Sequence, residues 1–313
     1  MDPLRVIAEE QGVFLTSEAR DLGYDDRSIA ASVRGRLWHR VRRGAFTFVD
    51  VWAASTPEQR HVILARAVMR SYGERVALSH VSAALVHGIA IWDVALSRVH
   101  ITRLDGGAGR TEPDVVHHEG GVADEDLVTG AGMLLVAPVR AAFETATTAS
   151  SEAALVIFDS LLHLRLADHD ALLSLHLRCR HWPHSQHLHV PVRMADGRAD
   201  SPGESRCRQL FFTAGLPAPE LQFEVFDRGR LVGITDFRWE EHRLMGEFDG
   251  RVKYGRLLRP GQSANDVVFE EKQREDRLRE VTGFTMVRIV WSDLARPGET
   301  AARVRRLMNR AAA

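Results

Sequence analysis

The sequence has very little lysine, few cysteines and no long apolar run. Only Lys253 and Lys272 among its 41 basic residues are lysine, so arginine carries nearly all of the positive charge. Two cysteines, Cys179 and Cys207, are too few for a disulfide framework or a four-cysteine zinc site. No stretch approaches the roughly 18 apolar residues of a membrane span, and the opening MDPLRVIAEE carries acids where a secretory signal is apolar. We therefore expect a cytoplasmic protein with no membrane partner.

The overall composition is that of an ordinary folded protein. With 45% hydrophobic and 27% charged residues it is neither collagen-like, nor disordered, nor a disulfide-rich miniprotein. The length of 313 residues exceeds one typical domain, so two or three folding units are expected. A formal charge of −1 excludes a uniformly basic nucleic-acid coat but leaves room for a local basic surface.

Residues 1–53 predict three short helices followed by a β-hairpin. Asp25 or Asp26 would cap the third helix, and Gly35 would end it. The following WHRVRRGAFTFV alternates apolar and basic residues, as a hairpin does, with Arg-Gly at positions 43 and 44 as its tip.

This first segment is locally basic. Between residues 27 and 49 it holds six arginines and His39 but no acid. Arginines neutralise phosphates and can form paired hydrogen bonds to guanine edges, so a helix and an adjacent basic hairpin suit a DNA groove. The alternative is a small helical subdomain with a solvated cationic face. The predicted DNA contacts are Arg34, Arg36, Arg40, Arg42 and Arg43.

The run RGRLWHRVRRGAF after the third predicted helix resembles the N-terminal winged-helix domain of AbiEi-type antitoxins from abortive-infection toxin–antitoxin systems. The resemblance implies a winged-helix DNA-binding domain over residues 1–53 and a toxin protein as a possible partner. The order of elements in the next segment also resembles the C-terminal part of AbiEi-like proteins.

Residues 54–196 predict a mainly helical middle domain. Two segments, VHITR and DVVHHE, look like strands on either side of LDGGAGR. No Lys-Ser/Thr follows these glycines, so a hairpin connection is favoured over a phosphate-binding loop. Seven histidines lie from His163 to His189, but this stretch has only Cys179 as a further ligand type and no acid between Asp170 and Asp196. A helix end with a polar linker is therefore favoured over a zinc site.

Residues 197–313 predict a third, α+β domain. Ser201 would cap a helix with Pro202 at its first position, and Glu204 would follow at the third. Two strands, LQFEVF and LVGITDFRW, a third strand RLMGEFDG, a long helix, the strand TMVRIVW and a closing helix come next. This order has enough apolar positions to bury one core.

Acids cluster on two of these predicted strands. If the WEEH turn is symmetric, Asp236 lies opposite Met245, so that Glu247 and Asp249 share its face. Both Asp236 and Glu247 are embedded in apolar residues, where an uncompensated charge is costly, and Mg²⁺ would bind both. Lys253 could reach a scissile phosphate or polarise the attacking water.

Each of these acids also has an ordinary structural explanation. Glu204 could be a capping-box residue, Asp236 could cap a strand end, and Asp249-Gly250 is a common turn dipeptide.

Taken together, the helix acid, the strand aspartate, the Glu-x-Asp-Gly and the nearby lysine resemble the PD-(D/E)xK nuclease superfamily. The branch that they resemble is the one related to very-short-patch-repair endonucleases. The resemblance implies roles for Glu204 as the helix acid, Asp236 as the metal-binding aspartate and Glu247 as the acid of the Glu-x-Lys element. Asp249 occupies the place of the lysine, so the role of Lys253 and full activity both need testing. The resemblance also places a basic residue of the long helix, Lys272 or Arg274, against the metal site.

Two functions follow as hypotheses for this multi-domain α+β chain. The first is a DNA endonuclease that uses Mg²⁺ (or Mn²⁺), bound by Asp236 and Glu247, to hydrolyse phosphodiesters. The second is a non-enzymatic repressor or antitoxin that keeps a degenerate nuclease fold as an interaction module. The oligomeric state and the DNA sequence recognised are not determined by the sequence.

Overall fold

The computed structural model describes residues 2–250 and 264–311. Lys253, predicted to act at the acidic site, lies outside the described residues. The chain is a mixed α and β protein with several separate sheets. It divides into two compact units, Met1–Ser150 with Leu166–His189, and Ser151–Arg165 with Val190–Ala313. No helix in the described part of the chain is both long and apolar enough to cross a membrane.

The first unit opens with short helices and a small antiparallel sheet of order β1-β3-β2. The predicted N-cap is confirmed, because the Asp25 carboxylate accepts a hydrogen bond from the Ser28 N–H at 2.7 Å. Leu4, Phe14, Trp38 and Phe46 are buried in its core. The elements are α1 (Pro3–Gln11), β1 (Phe14–Leu15), α2 (Thr16–Asp21), α3 (Asp26–Arg34), β2 (Trp38–Arg42), β3 (Ala45–Phe48) and α4 (Val49–Ala54).

The rest of the first unit contains a six-stranded sheet of order β6-β7-β5-β4-β9-β8. Only β5 and β7 were predicted from the sequence. Very short strands such as the three-residue β4, which is buried throughout, show no alternation to detect. The elements are α5 (Pro57–Tyr72), β4 (Val76–Leu78), α6 (His80–Val86), β5 (Val99–Arg103), β6 (Arg110–Thr111), β7 (Val115–His118), β8 (Leu127–Gly130), β9 (Met133–Val136), α7 (Pro138–Thr147) and α9 (His169–Arg178), with α8 described below.

The predicted hairpin connection through LDGGAGR is wrong. Strands β5 and β7 are neighbours, but they run parallel, with His100 paired to Val116. The chain first returns through β6, which forms the antiparallel pair with β7. The glycine segment therefore leads into β6.

The second unit is built around a four-stranded sheet of order β10-β11-β12-β13, in which β12 and β13 are parallel. Its residues Ser151–Arg165 come from the segment that the sequence assigned to the middle domain. The elements are α8 (Ser151–His163), α10 (His189–Met194, in this unit from Val190), α11 (Pro202–Thr213), β10 (Glu220–Asp227), β11 (Arg230–Trp239), β12 (Leu244–Asp249), α12 (Ala264–Thr282), β13 (Thr285–Val290), α13 (Trp291–Leu294) and α14 (Pro297–Ala311).

Helices cover both faces of this sheet. Helices α11 and α14 pack on one face with Phe237, Leu244 and Phe248. Helix α12 packs on the other face, where Leu278 meets Met245. Because side chains alternate along a strand, Glu247 and Asp249 share the α12 face with Met245.

The predicted strand register is wrong by two residues. Met245 pairs with Arg238, and the ladder continues to Phe237 and Gly246. One further step in this register would set Asp236 opposite Glu247, where the prediction placed it diagonally. The turn has four residues, as a symmetric WEEH turn would, but it lies one residue further along the chain, because Trp239 still pairs with Leu244. Glu240–His242 form a short 3₁₀ helix in it, and Arg243 adopts a left-handed conformation.

Candidate functional site

The first candidate site is a basic surface on α3, the following turn and the β2-β3 hairpin. It contains five arginines, which are all exposed. Within the described ranges none of them forms an ion pair with an acid. Such uncompensated guanidinium groups are available to phosphate. We define the basic surface as Arg27, Arg34, Arg36, Arg40 and Arg43.

Arg42 was predicted to contact DNA along with Arg34, Arg36, Arg40 and Arg43, but its surroundings differ. Its Nε lies 3.1 Å from the Asp114 carboxylate, and only 16% of its side chain is exposed. Arg40, two residues earlier, is exposed, with its guanidinium 5.8 Å from the centre of the Phe46 ring. Arg40 and Arg43 line a cleft with Ala30 of α3. The hairpin therefore exposes Arg40 and Arg43 to solvent, whereas Arg42 forms an ion pair with Asp114.

The second candidate site is a set of four acids on α11, β11 and β12, which we call the acidic cluster: Glu204, Asp236, Glu247 and Asp249. Glu204 is 6% exposed and accepts hydrogen bonds from Ser201 Oγ at 2.7 Å and from Gln222 Nε2 at 3.0 Å. The Glu204 N–H also bonds Ser201 Oγ at 3.3 Å, so this acid lies at the capped start of α11. Burial raises the pKa of Glu204.

Asp236 connects β11 to the acidic end of β12. Its Oδ2 accepts a 2.7 Å hydrogen bond from the Phe248 N–H, between Glu247 and Asp249 in the chain. Burial, assisted by the negative charges of Asp236 and Glu204, raises the pKa of the Cys207 thiol on α11. Asp236 and Glu204 therefore both act electrostatically on the Cys207 thiol, which is consistent with their lying at the same end of the second unit.

Among the described residues, Glu247 has two cationic partners. Arg274 of α12 lies 2.6 Å from its Oε1, and Arg288 of β13 lies 3.4 Å from its Oε2. Arg288 also lies 3.8 Å from the Asp249 carboxylate and 3.0 Å from Glu275. The sequence suggested Mg²⁺ as the compensating charge for Glu247, whereas in the structure these arginines compensate it.

The basic residue of α12 predicted to lie near the acids can now be identified. Arg274 contacts Glu247, while Lys272 is exposed. The sequence left the two as alternatives because both fit the charge pattern of α12.

A third group, of three histidines, was missed by sequence reasoning. Ring nitrogens of His80, His100 and His118, one from each residue, lie within 4.8 Å of one another. These residues are separated by about 20 positions each in the chain, and no spacing rule connects them. In the part of the chain that the structure describes, this is the only such group of three possible ligands, so the histidine-rich segment 163–189 forms none.

Comparison with known proteins shows limited similarity. No known protein-family profile matches the chain. Two uncharacterized proteins of Mycobacterium tuberculosis, from strains CDC 1551 / Oshkosh and ATCC 25618 / H37Rv, are each 36% identical over 118 residues. That match covers 37% of this chain and 40% of each relative. The chain thus spans less than half the length of the curated relatives that it matches.

Proposed function

We propose that the protein binds duplex DNA and hydrolyses its phosphodiester bonds with a divalent metal ion. One observation carries this proposal: Asp236 of β11 accepts a hydrogen bond from the Phe248 N–H of β12, between Glu247 and Asp249. The Phe248 ring packs against Gly203 at the start of α11, which also carries Glu204. The order of helix, three strands, helix and strand in the second unit matches the order in which the nuclease resemblance expects these acids. The finer fold assignment is part of the proposal: a winged helix, a mainly helical middle domain and a restriction-endonuclease-like domain.

The oxygen ligands of the acidic cluster suit a hard cation. Asp236 and Glu247 offer oxygen ligands, which Mg²⁺ and Mn²⁺ prefer. These two residues would hold the ion, which when bound supplies an activated water and neutralises charge on the phosphate. Arg274, 2.6 Å from Glu247, orients that carboxylate and places a positive charge beside it.

DNA binding is assigned to the basic surface of the first unit. Its arginines lack acidic partners within the described residues, so they can bind phosphate without breaking an ion pair within the protein. An N-capped α3 followed by a basic hairpin has the order of elements that a helix-and-wing DNA reader needs.

Cleavage of plasmid and branched DNA with Mg²⁺ or Mn²⁺ tests the nuclease proposal. We expect the wild type to nick or cut these DNAs. Asp236→Asn and Glu247→Gln should each lower the cleavage rate at least about 100-fold, because each removes a ligand of the metal ion that activates the water. Glu280→Gln is the matched control, because Glu280 is an exposed acid on α12 that pairs only with Arg277 among the contacts described. Activity that survives in both site variants contradicts the proposal.

A second candidate is a non-enzymatic repressor or antitoxin, with a toxin protein as partner. It is favoured by the two arginines that already compensate Glu247, because a carboxylate held in this way has less need of a metal. A wild type that binds an operator tightly, while leaving every DNA substrate intact, would support this second candidate over the nuclease.

The salt dependence of DNA binding tests the basic surface separately from catalysis. Arg40→Ala with Arg43→Ala should reduce the slope of log K against log salt by roughly two, since each phosphate contact contributes about 0.9. Arg42→Ala is the control within the same hairpin, because Arg42 is already paired with Asp114. Its slope should stay closer to that of the wild type. An unchanged slope in the double variant would show that the basic surface is only solvated.

A further inference from the structure

Three imidazoles converge in the first unit. His80 begins α6, His100 lies on β5 and His118 ends β7. Nδ1 of His100 is 2.9 Å from Nε2 of His118, and the rings of His80 and His118 stack with their centres 3.6 Å apart. We call these three residues the histidine cluster.

The sheet fixes two members of the cluster on one face. In the parallel β5-β7 ladder Thr102 pairs with His118, and His100 precedes Thr102 by two residues. By strand alternation, His100, Thr102 and His118 therefore share a face. Thr102 is 2% exposed, and its Oγ1 has no hydrogen-bond partner among the residues that the structure describes. A buried hydroxyl in this situation is free to accept a hydrogen bond from a bound water.

His80 reaches the cluster at a conformational cost. Its φ of 49° is in the left-handed region, which residues other than glycine rarely adopt because their Cβ is crowded there. Surrounding contacts hold it there: the His80 N–H donates to Glu144 Oε2 at 3.2 Å, and Glu144 is in turn bonded by Arg140 at 2.8 Å. Strain maintained in this way is typical of functional positions.

The imidazoles are kept neutral, which is the form that binds metal. Burial, reinforced by the neighbouring histidines, lowers the pKa of His80 well below its usual value. Burial, with a smaller effect of His118, lowers the pKa of His100 to about 3. Burial, with a smaller effect of His117, lowers the pKa of His118 to about 4. A neutral imidazole offers one lone pair to a ligand site.

We propose that His80, His100 and His118 bind one zinc ion. Three imidazoles with an open fourth position form a known class of zinc site, and nitrogen ligands favour zinc over magnesium or calcium. Zinc replaces the proton shared between His100 and His118, and that proton moves to the other nitrogen of the donor ring. The stacked His80 ring must rotate about its side-chain bonds, because a metal cannot lie in the planes of two parallel stacked rings.

Glu144 acts as the positioning residue of this site. Its Oε2 lies 3.4 Å from His80 Nδ1, so that a rotated His80 coordinating through Nε2 can direct its Nδ1–H at a carboxylate. Such carboxylate partners orient metal-binding histidines, and losing one typically weakens metal binding about 10- to 100-fold. Glu144 is 3% exposed and is kept in place by Arg140.

Zinc content and cobalt spectra of the untagged full-length protein test the proposal. After chelator treatment, addition of Zn²⁺ and dialysis, the wild type should keep about one zinc per chain, and Co²⁺ should give the visible spectrum of a low-coordinate nitrogen site. His118→Gln and His100→Gln should lose this ion. Glu144→Gln should retain the site with an affinity about 10- to 100-fold lower.

The histidine-rich segment supplies the matched control. His181→Gln with His184→Gln removes two histidines outside the cluster and should leave the stoichiometry unchanged. If the cluster variants fail to fold, X-ray absorption of zinc bound to the control variant decides the matter, with imidazole nitrogens expected as ligands. Sulfur ligation, zinc retained by folded His118→Gln, zinc lost from the control, or a wild type that binds none would each overturn the proposal.

Discussion

Asp159 on α8 is a buried charge of the second unit, stabilised by an ion pair and by hydrogen bonds. It is 1% exposed, with Arg208 Nη1 at 2.5 Å and the Asp196 N–H donating at 2.8 Å. Burial raises the pKa of Asp159, and Arg208 opposes that rise. Such a pair is costly to break, because removal of one member leaves the other charge buried without compensation.

We predict that Asp159→Ala lowers the free energy of unfolding by about 3–5 kcal/mol. Arg208, whose side chain is 11% exposed, would lose its carboxylate partner while remaining largely out of water. Urea unfolding followed by circular dichroism measures the change.

Glu280→Ala is the control for this prediction. It breaks the exposed pair between Arg277 and Glu280 on α12, with side-chain exposures of 48% and 70%, and should cost less than about 1 kcal/mol. Equal effects of the two substitutions would show that Asp159 and Arg208 are not a buried pair in solution.

Helix α11 contributes Glu204 to the acidic cluster because its first turn packs tightly on β12. A Cβ added to Gly203 would lie 1.9 Å from the Phe248 ring, which is closer than atoms can approach. Glycine at this position allows the helix to approach the strand whose backbone bonds Asp236. The position of Glu204, the next residue, depends on the same close approach.

Gly203→Ala should destabilise the protein by about 1–3 kcal/mol, the usual cost of overpacking a core contact. Gly298→Ala is a closely matched control, since Gly298 also follows a helix-opening proline, on α14, and has open space where a Cβ would go. It should be neutral or slightly stabilising, because alanine favours helix. Thermal unfolding of the two variants measures the difference, and a Gly203→Ala protein as stable as Gly298→Ala would refute the packing.

The buried histidines of the first unit and two buried acids of the second should respond to acid in opposite directions. In the first unit burial lowers the pKa of seven histidines: His39, His61, His80, His100, His117, His118 and His176. Below about pH 6.5 the unfolded chain takes up protons that the folded unit resists, so stability falls as pH falls. In the second unit burial raises the pKa of Asp159 and Glu204. Acid relieves the cost of their charges, so that contribution has the opposite sign.

Lowering the pH from 7.5 to 5.5 in chelator-treated protein should therefore loosen the first unit selectively. Each histidine kept fully neutral lowers the free energy of unfolding by up to about 1.4 kcal/mol per pH unit below its unfolded pKa. Hydrogen exchange with mass spectrometry, corrected for intrinsic rates, should show protection lost in residues 76–136 before residues 220–249. The reverse order would contradict this assignment.

The sequence by itself determined the elements that depend on neighbours in the chain. Asp25 caps α3, Pro202 and Ser201 start α11, and alternation marks β2, β10 and β11, all through contacts a few residues apart. It also predicted an α+β chain with separate strand and helix regions. The DNA-binding, nuclease and partner assignments stay predictions, and Lys253 lies outside the described residues.

Only the tertiary structure decided which distant residues meet. The contacts of Glu247 with Arg274 and Arg288, the pairing of Arg42 with Asp114, and the histidine cluster join residues at least 18 positions apart. The parallel pairing of β5 with β7 and the register of β11 on β12 belong to the same class. Capping and turn signals act within a few residues, whereas these pairings are set by the burial of whole sheet faces, to which every strand contributes at once.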